Sequence, residues 1–446
     1  MPLPVGACRP AALRAAPPAL PVAVVLVVSL AVSAAAQSYG TDGIQLSLGL
    51  ALRTEVEDNS ALDRDSAGPT SEANARLSLG LLSETRTERL SLDFSGTLGV
   101  IDTPDDTSQI NGFKDPGVSL SYGRTSAAAR LGLSASLRES RLSRDYFDIN
   151  EFDEGTTGTD GTALGIIDVV SGTAVRRRSA AEASLNWGDD RPLGFGTFAR
   201  INTTTYRDGT ANGLDGSTLE DSRRRTLGAT MRMDLDATRR LDLGLTWSDF
   251  EQDNTTGLRE TLSLNAGLTV DRPLGALTAS LNAANTEEGE RYGATLDRSL
   301  ALPLGQVSGQ IGLSRSVDGQ TYLNGGLNLR RDLARGALNF GLSRTVSSSD
   351  ADDTEQLNTR ASLGLTQELT PLSRVRFGVN LSKAEETATG AETLSGEVGA
   401  SLSHDFTSDW TLETGYSHRI RNEDSQGAAH SNRVFLELRR TFLTRF

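Results

Sequence analysis

The chain has almost no cysteine. Its 446 residues contain one, Cys8, in an amino-terminal segment that we expect to be removed. Disulfides persist in exported proteins, but a mature chain without cysteine can form none. Its fold must therefore be held by backbone hydrogen bonds, packing and ion pairs alone.

Basic charge and aromatic side chains are also scarce. The chain has 44 Lys and Arg against 58 Asp and Glu, a formal net charge of −14, and only 5% aromatic residues. A nucleic-acid-binding protein needs a basic footprint, so we expect no nucleic-acid partner. The low aromatic content also argues against a large soluble β-protein with an aromatic core.

Long apolar runs are absent except near the amino terminus. Arg9 and Arg14 precede an apolar core from Val22 to Val32, and three alanines, Ala34 to Ala36, follow it. The core is too short to span a bilayer. A charged start, a short apolar core and small residues are typical of a secretory signal peptide. We predict a cleaved signal over residues 1–36 and one domain over residues 37–446.

Short segments that alternate apolar and polar side chains fill the rest of the chain. The segment from Ile44 to Arg53 has leucines on one face and Gln, Ser, Gly and Arg on the other. A β-strand points successive side chains to opposite faces, so each segment is predicted to be a strand with one apolar and one polar face. Tight links such as Pro303-Leu304-Gly305 alternate with longer acidic links such as Asp208 to Asp221.

This pattern predicts an all-β fold, an antiparallel up-and-down transmembrane β-barrel of about 18–20 strands. Closure would pair every strand edge, and a polar lumen with a lipid-facing apolar exterior would satisfy both faces. The alternative is a soluble β-solenoid or a large sandwich. Those folds bury their apolar faces and usually show a repeat of fixed length, which this sequence does not have.

The signal, the alternating strands, the acidic long links and the terminal segment Val434 to Phe446 together resemble Gram-negative outer-membrane β-barrel proteins of the porin-like kind. The resemblance implies localisation in the outer membrane, with outer-membrane lipid and lipopolysaccharide around the barrel. It also implies that the final strand, ending in Phe446, is the signal read by the barrel-assembly machinery.

Two sets of charged residues are candidate functional groups. Charged side chains on the polar faces of the strands are candidate pore-lining residues: Arg76, Asp93, Arg130, Arg138, Arg200, Arg232, Arg330, Arg360, Arg376, Glu397 and Arg419. They form either a basic ladder or structural ion pairs with lumenal acids. The long link from Ser143 to Ala174 carries the candidate constriction-loop acids: Asp145, Asp148, Glu151, Asp153, Glu154 and Asp160. In general porins, which this chain resembles, acids of such a loop face arginines on the wall. A solvated acidic loop is the alternative.

No pattern indicates catalysis or a cofactor. The three histidines are His404, His418 and His430, and their spacing does not require a cleft with a nucleophile. We expect no enzyme activity, no cofactor and no metal site. The sequence predicts a channel for passive diffusion of small hydrophilic solutes. The alternatives are an export conduit for a polysaccharide or other polymer, and a structural or surface-binding barrel that does not conduct.

Overall fold

The described part of the computed structural model has twenty long strands and one two-stranded sheet. The structure describes residues 43–446 apart from positions 61, 63, 67, 103–109, 142–170, 173, 210, 213–217, 219, 254–258, 287–288, 318, 349–354, 388 and 424–426. The candidate constriction-loop acids and the predicted signal peptide lie outside the described residues. Among the described residues, no helical segment has the length and hydropathy of a membrane span.

The strands in chain order are β1 Gly43–Glu57, β2 Thr70–Glu84, β3 Glu88–Asp102, β4 Ile110–Thr125, β5 Ala129–Arg141, β6 Ser171–Gly172, β7 Val175–Trp187, β8 Leu193–Arg207, β9 Ala211–Asn212, β10 Ser222–Asp234, β11 Arg239–Gln252, β12 Arg259–Arg272, β13 Gly275–Thr286, β14 Gly289–Leu302, β15 Gly305–Arg315, β16 Thr321–Leu333, β17 Gly336–Ser348, β18 Glu355–Thr370, β19 Ser373–Glu386, β20 Glu392–Asp405, β21 Trp410–Glu423 and β22 Gly427–Arg445.

Each long strand pairs antiparallel with the long strands before and after it, and β1 also pairs with β22. The sheet therefore closes on itself as an up-and-down barrel of 20 strands, which confirms the predicted fold and strand number. The two-residue strands β6 and β9 pair with each other in a separate sheet.

The apolar faces of the strands point away from the barrel axis. Many of their large apolar side chains are exposed, among them Leu79, Leu92, Leu227, Leu245, Leu264, Leu281, Ile311 and Leu323. A continuous exposed apolar surface of this extent is far larger than the patches that water-soluble monomers carry. It is the surface that a lipid bilayer covers, and the opposite, polar faces enclose the lumen.

The two ends of the barrel differ in the length of their links. At one end the turns have two to five residues, as at 273–274, 303–304 and 371–372, and the described chain ends lie there too. Most links at the other end are longer, as at 58–69 and 208–221. In outer-membrane barrels the short turns are periplasmic and the longer links extracellular. The end with the short turns is therefore called the periplasmic end, and the opposite end the extracellular end.

The first and last strands close the barrel along their whole length. Their register runs from Gln45 opposite Arg445 to Glu57 opposite Arg433. At the periplasmic end, the backbone N–H of Phe446 donates to the carbonyl of Ile44 at 2.8 Å. The side chain of Phe446 is 71% exposed, so the terminal ring is accessible on the surface. Its recognition by the assembly machinery stays a prediction.

Asp58 connects the end of β1 to β22 at the extracellular end of this closing strand pair, which we call the seam. The backbone N–H and the side-chain amide of Asn432 each donate to the Asp58 carboxylate at 2.6 Å. Partial burial raises the pKa of Asp58, but the hydrogen bonds from Asn432 outweigh it, and the pKa lies below its ordinary value. A carboxylate with a lowered pKa stabilises the fold above its unfolded-state pKa, and this contribution is lost as pH falls through the folded-state pKa.

We expect acidification below about pH 4, the unfolded-state pKa of an aspartate, to weaken the seam in the parent protein. The Asp58→Asn variant should start less stable at neutral pH and lose less on acidification, because it has no carboxylate to protonate. Urea unfolding of both proteins at neutral pH and about one pH unit below that pKa measures this. Equal losses in the two proteins would contradict the assignment.

Candidate functional site

All eleven predicted pore-lining residues lie on the polar faces of their strands. Each alternates with the exposed apolar residues of the same strand, so each is on the lumenal side of the wall. Several are held in ion pairs: Arg130 with Asp189, Arg200 with Glu182, Arg232 with Asp189 and Asp234, Arg330 with Asp332, Arg376 with Glu413, Glu397 with Arg433 and Arg419 with Glu57. For these residues the pairing alternative describes the structure better than an open basic ladder.

The most deeply buried of these pairs lie on one side of the lumen, on β19–β22 and β1. Arg433 donates to Glu397 at 3.1 Å, and Glu397 is only 2% exposed. Arg419 pairs with Glu57, to which the hydroxyl of Ser431 also donates at 2.6 Å. These ion pairs and hydrogen bonds connect the last strands to the first, so this wall acts as a structural belt.

A second layer of the same wall lies nearer the periplasmic end. Glu413 is 4% exposed, and its carboxylate lies 3.4 Å from the guanidinium of Arg376 and 3.7 Å from the guanidinium of Arg439. Arg439 also contacts Glu437 at 2.8 Å, and Glu437 lies 3.6 Å from Arg53. The chain of alternating charges therefore runs from β19 through β21 and β22 to β1, across the closing seam of the barrel.

The wall formed by β12–β17 is mainly neutral near mid-strand. Apart from Asp297, its described lumenal side chains there are mostly amides, hydroxyls and glycines, and the amides are Asn265, Asn282, Gln310, Asn324, Asn328 and Asn339. The described lumen thus has one wall of paired charges and one composed mainly of neutral hydrogen-bonding groups.

Arginine and an aromatic ring meet at the extracellular mouth. Phe250 lies near the end of β11 and is 7% exposed. The guanidinium of Arg259, at the start of β12, is 4.6 Å from the centre of its ring, and that of Arg224, on β10, is 5.5 Å away. Such cation–π contacts hold the two guanidinium groups in place. By alternation from the lipid-facing leucines of the same strands, all three side chains are lumenal.

Two further arginines, Arg176 and Arg178 of β7, share this lumenal side near the mouth. In the described extracellular halves of β7, β8, β10, β11 and β12, no carboxylate lies on the lumenal face. All four arginines make further contacts of their own. Together they form the mouth cluster, defined as Arg176, Arg178, Arg224, Phe250 and Arg259.

None of these five residues was among the candidate residues predicted from the sequence. The signal was present in the parity of the arginine runs. On β10, Arg223 and Arg225 lie four and two residues before the outward Leu227, so both face outward with it. Arg224 lies between them and faces the lumen.

The histidines lie on the opposite, outer face. His404 is hydrogen-bonded to Ser373 at 2.8 Å and His418 to Asn432 at 2.9 Å. In the part of the chain that the structure describes, no group of His, Cys, Asp and Glu is arranged to hold a metal ion.

No protein-family model matches the chain. No curated protein matches it. Solved structures do match. The siderophore receptor PirA from Pseudomonas aeruginosa is 12% identical, with a TM-score of 0.50 and coverage of 91% of this chain and 81% of that one. PirA from Acinetobacter baumannii is 7% identical, with a TM-score of 0.52 and the same coverage.

The ferric enterobactin receptor PfeA from Pseudomonas aeruginosa is 11% identical, with a TM-score of 0.51 and coverage of 91% and 81%. These neighbours have the same architecture as the closed barrel described above. The chain has the fold of Gram-negative outer-membrane β-barrel proteins. At these identities the likeness establishes the fold and no ligand.

This comparison contradicts the prediction that the protein is a channel for passive diffusion. The three structural neighbours described above are two siderophore receptors and a ferric enterobactin receptor. The two predicted alternatives, an export conduit and a structural barrel that does not conduct, do not match these receptors either. Alternating strands are common to all outer-membrane barrels, so that pattern carried no information on how solutes cross.

Proposed function

We propose that the protein is an outer-membrane receptor that binds a small anionic ligand at the mouth cluster and takes it up through the barrel. The observation that carries this proposal is the placement of four arginines on one lumenal wall at the extracellular opening, two of them against the ring of Phe250. The fold shared with siderophore receptors supports a ligand-specific role.

An anion is the ligand class that fits these residues. Guanidinium groups stay charged at any physiological pH and offer planar pairs of N–H donors to carboxylate, phosphate or catecholate oxygens. Arg224 and Arg259 lose less conformational entropy on binding, because their cation–π contacts with Phe250 already restrict their side chains. Beyond the mouth, a 20-stranded barrel is too wide to be filled by its own wall side chains.

Ferric enterobactin is the first probe to use, because a receptor with this fold binds enterobactin and its iron complex is anionic. We expect the refolded barrel to bind it, with a dissociation constant that rises with ionic strength. The variant carrying Arg224→Gln and Arg259→Gln should bind about tenfold or more weakly, since each lost charge-assisted hydrogen bond is worth about 1.5–3 kcal/mol.

Quenching of tryptophan fluorescence, checked by calorimetry, measures this binding. The Arg223→Gln variant is the matched control: it changes the adjacent residue, whose side chain is outward and paired with Glu251 in an exposed contact. A panel with ferric citrate and a neutral hydroxamate complex of iron tests charge selectivity. Equal binding of the neutral complex, or no effect of the double substitution on any anion that binds, would contradict the proposal.

A further inference from the structure

Four arginines near the periplasmic end point outward, into the face that the bilayer covers. They are Arg272 on β12, Arg298 on β14, Arg331 on β16 and Arg440 on β22. Arg298 lies between Leu296 and Leu300 on one face of β14 and opposite Leu277 of β13. Each arginine shares the parity of the lipid-facing apolar residues of its own strand.

Within the described part of the chain, none of these four arginines has an ion pair. Other outward arginines show the contrast, because an acid lies within their reach. Arg177 and Arg207 both contact Glu139 at 2.5 Å, and Arg223 contacts Glu251 at 2.5 Å. The charge of those arginines is balanced within the protein, whereas none of the acids that the structure describes pairs with the four periplasmic arginines.

Arg440 occupies the most enclosed of the four sites. Its guanidinium is 4.1 Å from the centre of the Phe442 ring and 5.1 Å from the Trp410 ring. Its cross-strand neighbours are Trp410 on β21 and Leu50 on β1. Its Nε atom is buried and has no hydrogen-bond partner among the described residues. Among the described residues, apolar and aromatic groups surround this charge and no acid pairs with it.

A cation on the lipid face needs a partner from outside the protein. An arginine there is strongly unfavourable at the bilayer midplane, and the cost falls toward zero at the interface. Aromatic side chains such as Trp410 and Phe442 mark the interfacial level. At that level the available anions are the phosphate groups of phospholipids, which guanidinium groups bind through paired hydrogen bonds.

We propose that Arg272, Arg298, Arg331 and Arg440 bind phosphate headgroups of phospholipids in the periplasmic leaflet, with the Arg440–Trp410–Phe442 clamp as the tightest site. These four contacts would fix the depth of the barrel in the membrane at its periplasmic edge. An outward arginine that is already paired with an acid, such as Arg223, would not bind lipid phosphate in the same way.

Titration of the refolded, detergent-solubilised barrel with phosphatidylglycerol tests this proposal, with bound lipids counted by native mass spectrometry. We expect Arg440→Gln to weaken the tightest lipid-binding step about tenfold, the loss expected for a charge-assisted pair of hydrogen bonds. Arg440→Lys should retain part of the affinity, because it keeps the charge without the planar fork. Arg298→Gln should remove a weaker site.

Three comparisons distinguish recognition of the phospholipid headgroup from binding of its acyl chains or of free phosphate. Arg223→Gln, outward but paired at the opposite rim, should bind the parent number of lipids. Diacylglycerol, which lacks the phosphate, should not bind at the Arg440 site. Inorganic phosphate alone should fail to displace phosphatidylglycerol. Unchanged lipid binding in folded Arg440→Gln, or an equal loss in Arg223→Gln, would overturn the proposal, as would equal binding of diacylglycerol or displacement by inorganic phosphate.

Discussion

Replacing Gly305 by alanine is expected to prevent the barrel from folding or to destabilise it severely. Gly305 follows the two-residue turn between β14 and β15 and has a φ of +139°. A Cβ atom there would overlap the backbone carbonyl oxygen of Arg330 on the neighbouring strand. The clash is with the backbone, so no side-chain rotation relieves it. Strain of this kind costs about 1–3 kcal/mol for the dihedral alone, before the steric overlap is added.

The same geometry recurs at Gly275, where a Cβ would overlap the carbonyl oxygen of Ser299. Gly364 on β18 is the matched control, because nothing lies within 4 Å of the position its Cβ would take. Gly364→Ala should fold with parent stability, whereas Gly305→Ala and Gly275→Ala should yield little folded barrel. The folded fraction is measured by mobility in unheated SDS gels and by urea unfolding. A normal yield of Gly305→Ala would contradict the prediction.

Much of this architecture follows from the sequence because the constraints are local. Leu90, Leu92 and Phe94 alternate with Ser91 and Asp93, and a period of two assigns both faces of β3 without any long-range information. Pro303-Leu304-Gly305 marks a tight turn for the same reason. Closure could also be predicted, since strands with one apolar and one polar face leave a membrane barrel as the arrangement that satisfies both.

The candidate sites were harder to predict because they depend on register. Glu57 and Arg419 are far apart in sequence and meet only because β1 pairs with β22 and β22 with β21. The mouth cluster likewise requires β7 and the three strands β10 to β12 to reach the same level. The contrast between the paired Arg177 and the unpaired Arg440 depends on which acids the register brings within reach. Alternation alone gives the face of a side chain but not its neighbour.

Removing Glu413 is expected to cause a large loss of stability. Its carboxylate is buried and contacts both Arg376 and Arg439. Glu413→Ala would leave two cations facing each other without the acid between them. Breaking a buried ion pair by removing one partner costs about 3–5 kcal/mol. Because Arg439 is 48% exposed at its side chain, we expect a value at the low end of that range, about 3 kcal/mol.

Urea unfolding of the refolded variant measures this as a lower midpoint with an unchanged slope. The control is Glu88→Ala, which removes an acid from the exposed pair with Arg124 and should cost less than about 1 kcal/mol. Adding Arg376→Ala to Glu413→Ala should recover part of the loss, because the cation that lost its contact with Glu413 is then also gone. Equal costs for Glu413→Ala and Glu88→Ala would show that water screens the structural belt as fully as the exposed pair. The wall of paired charges would then not stabilise the closure of the barrel.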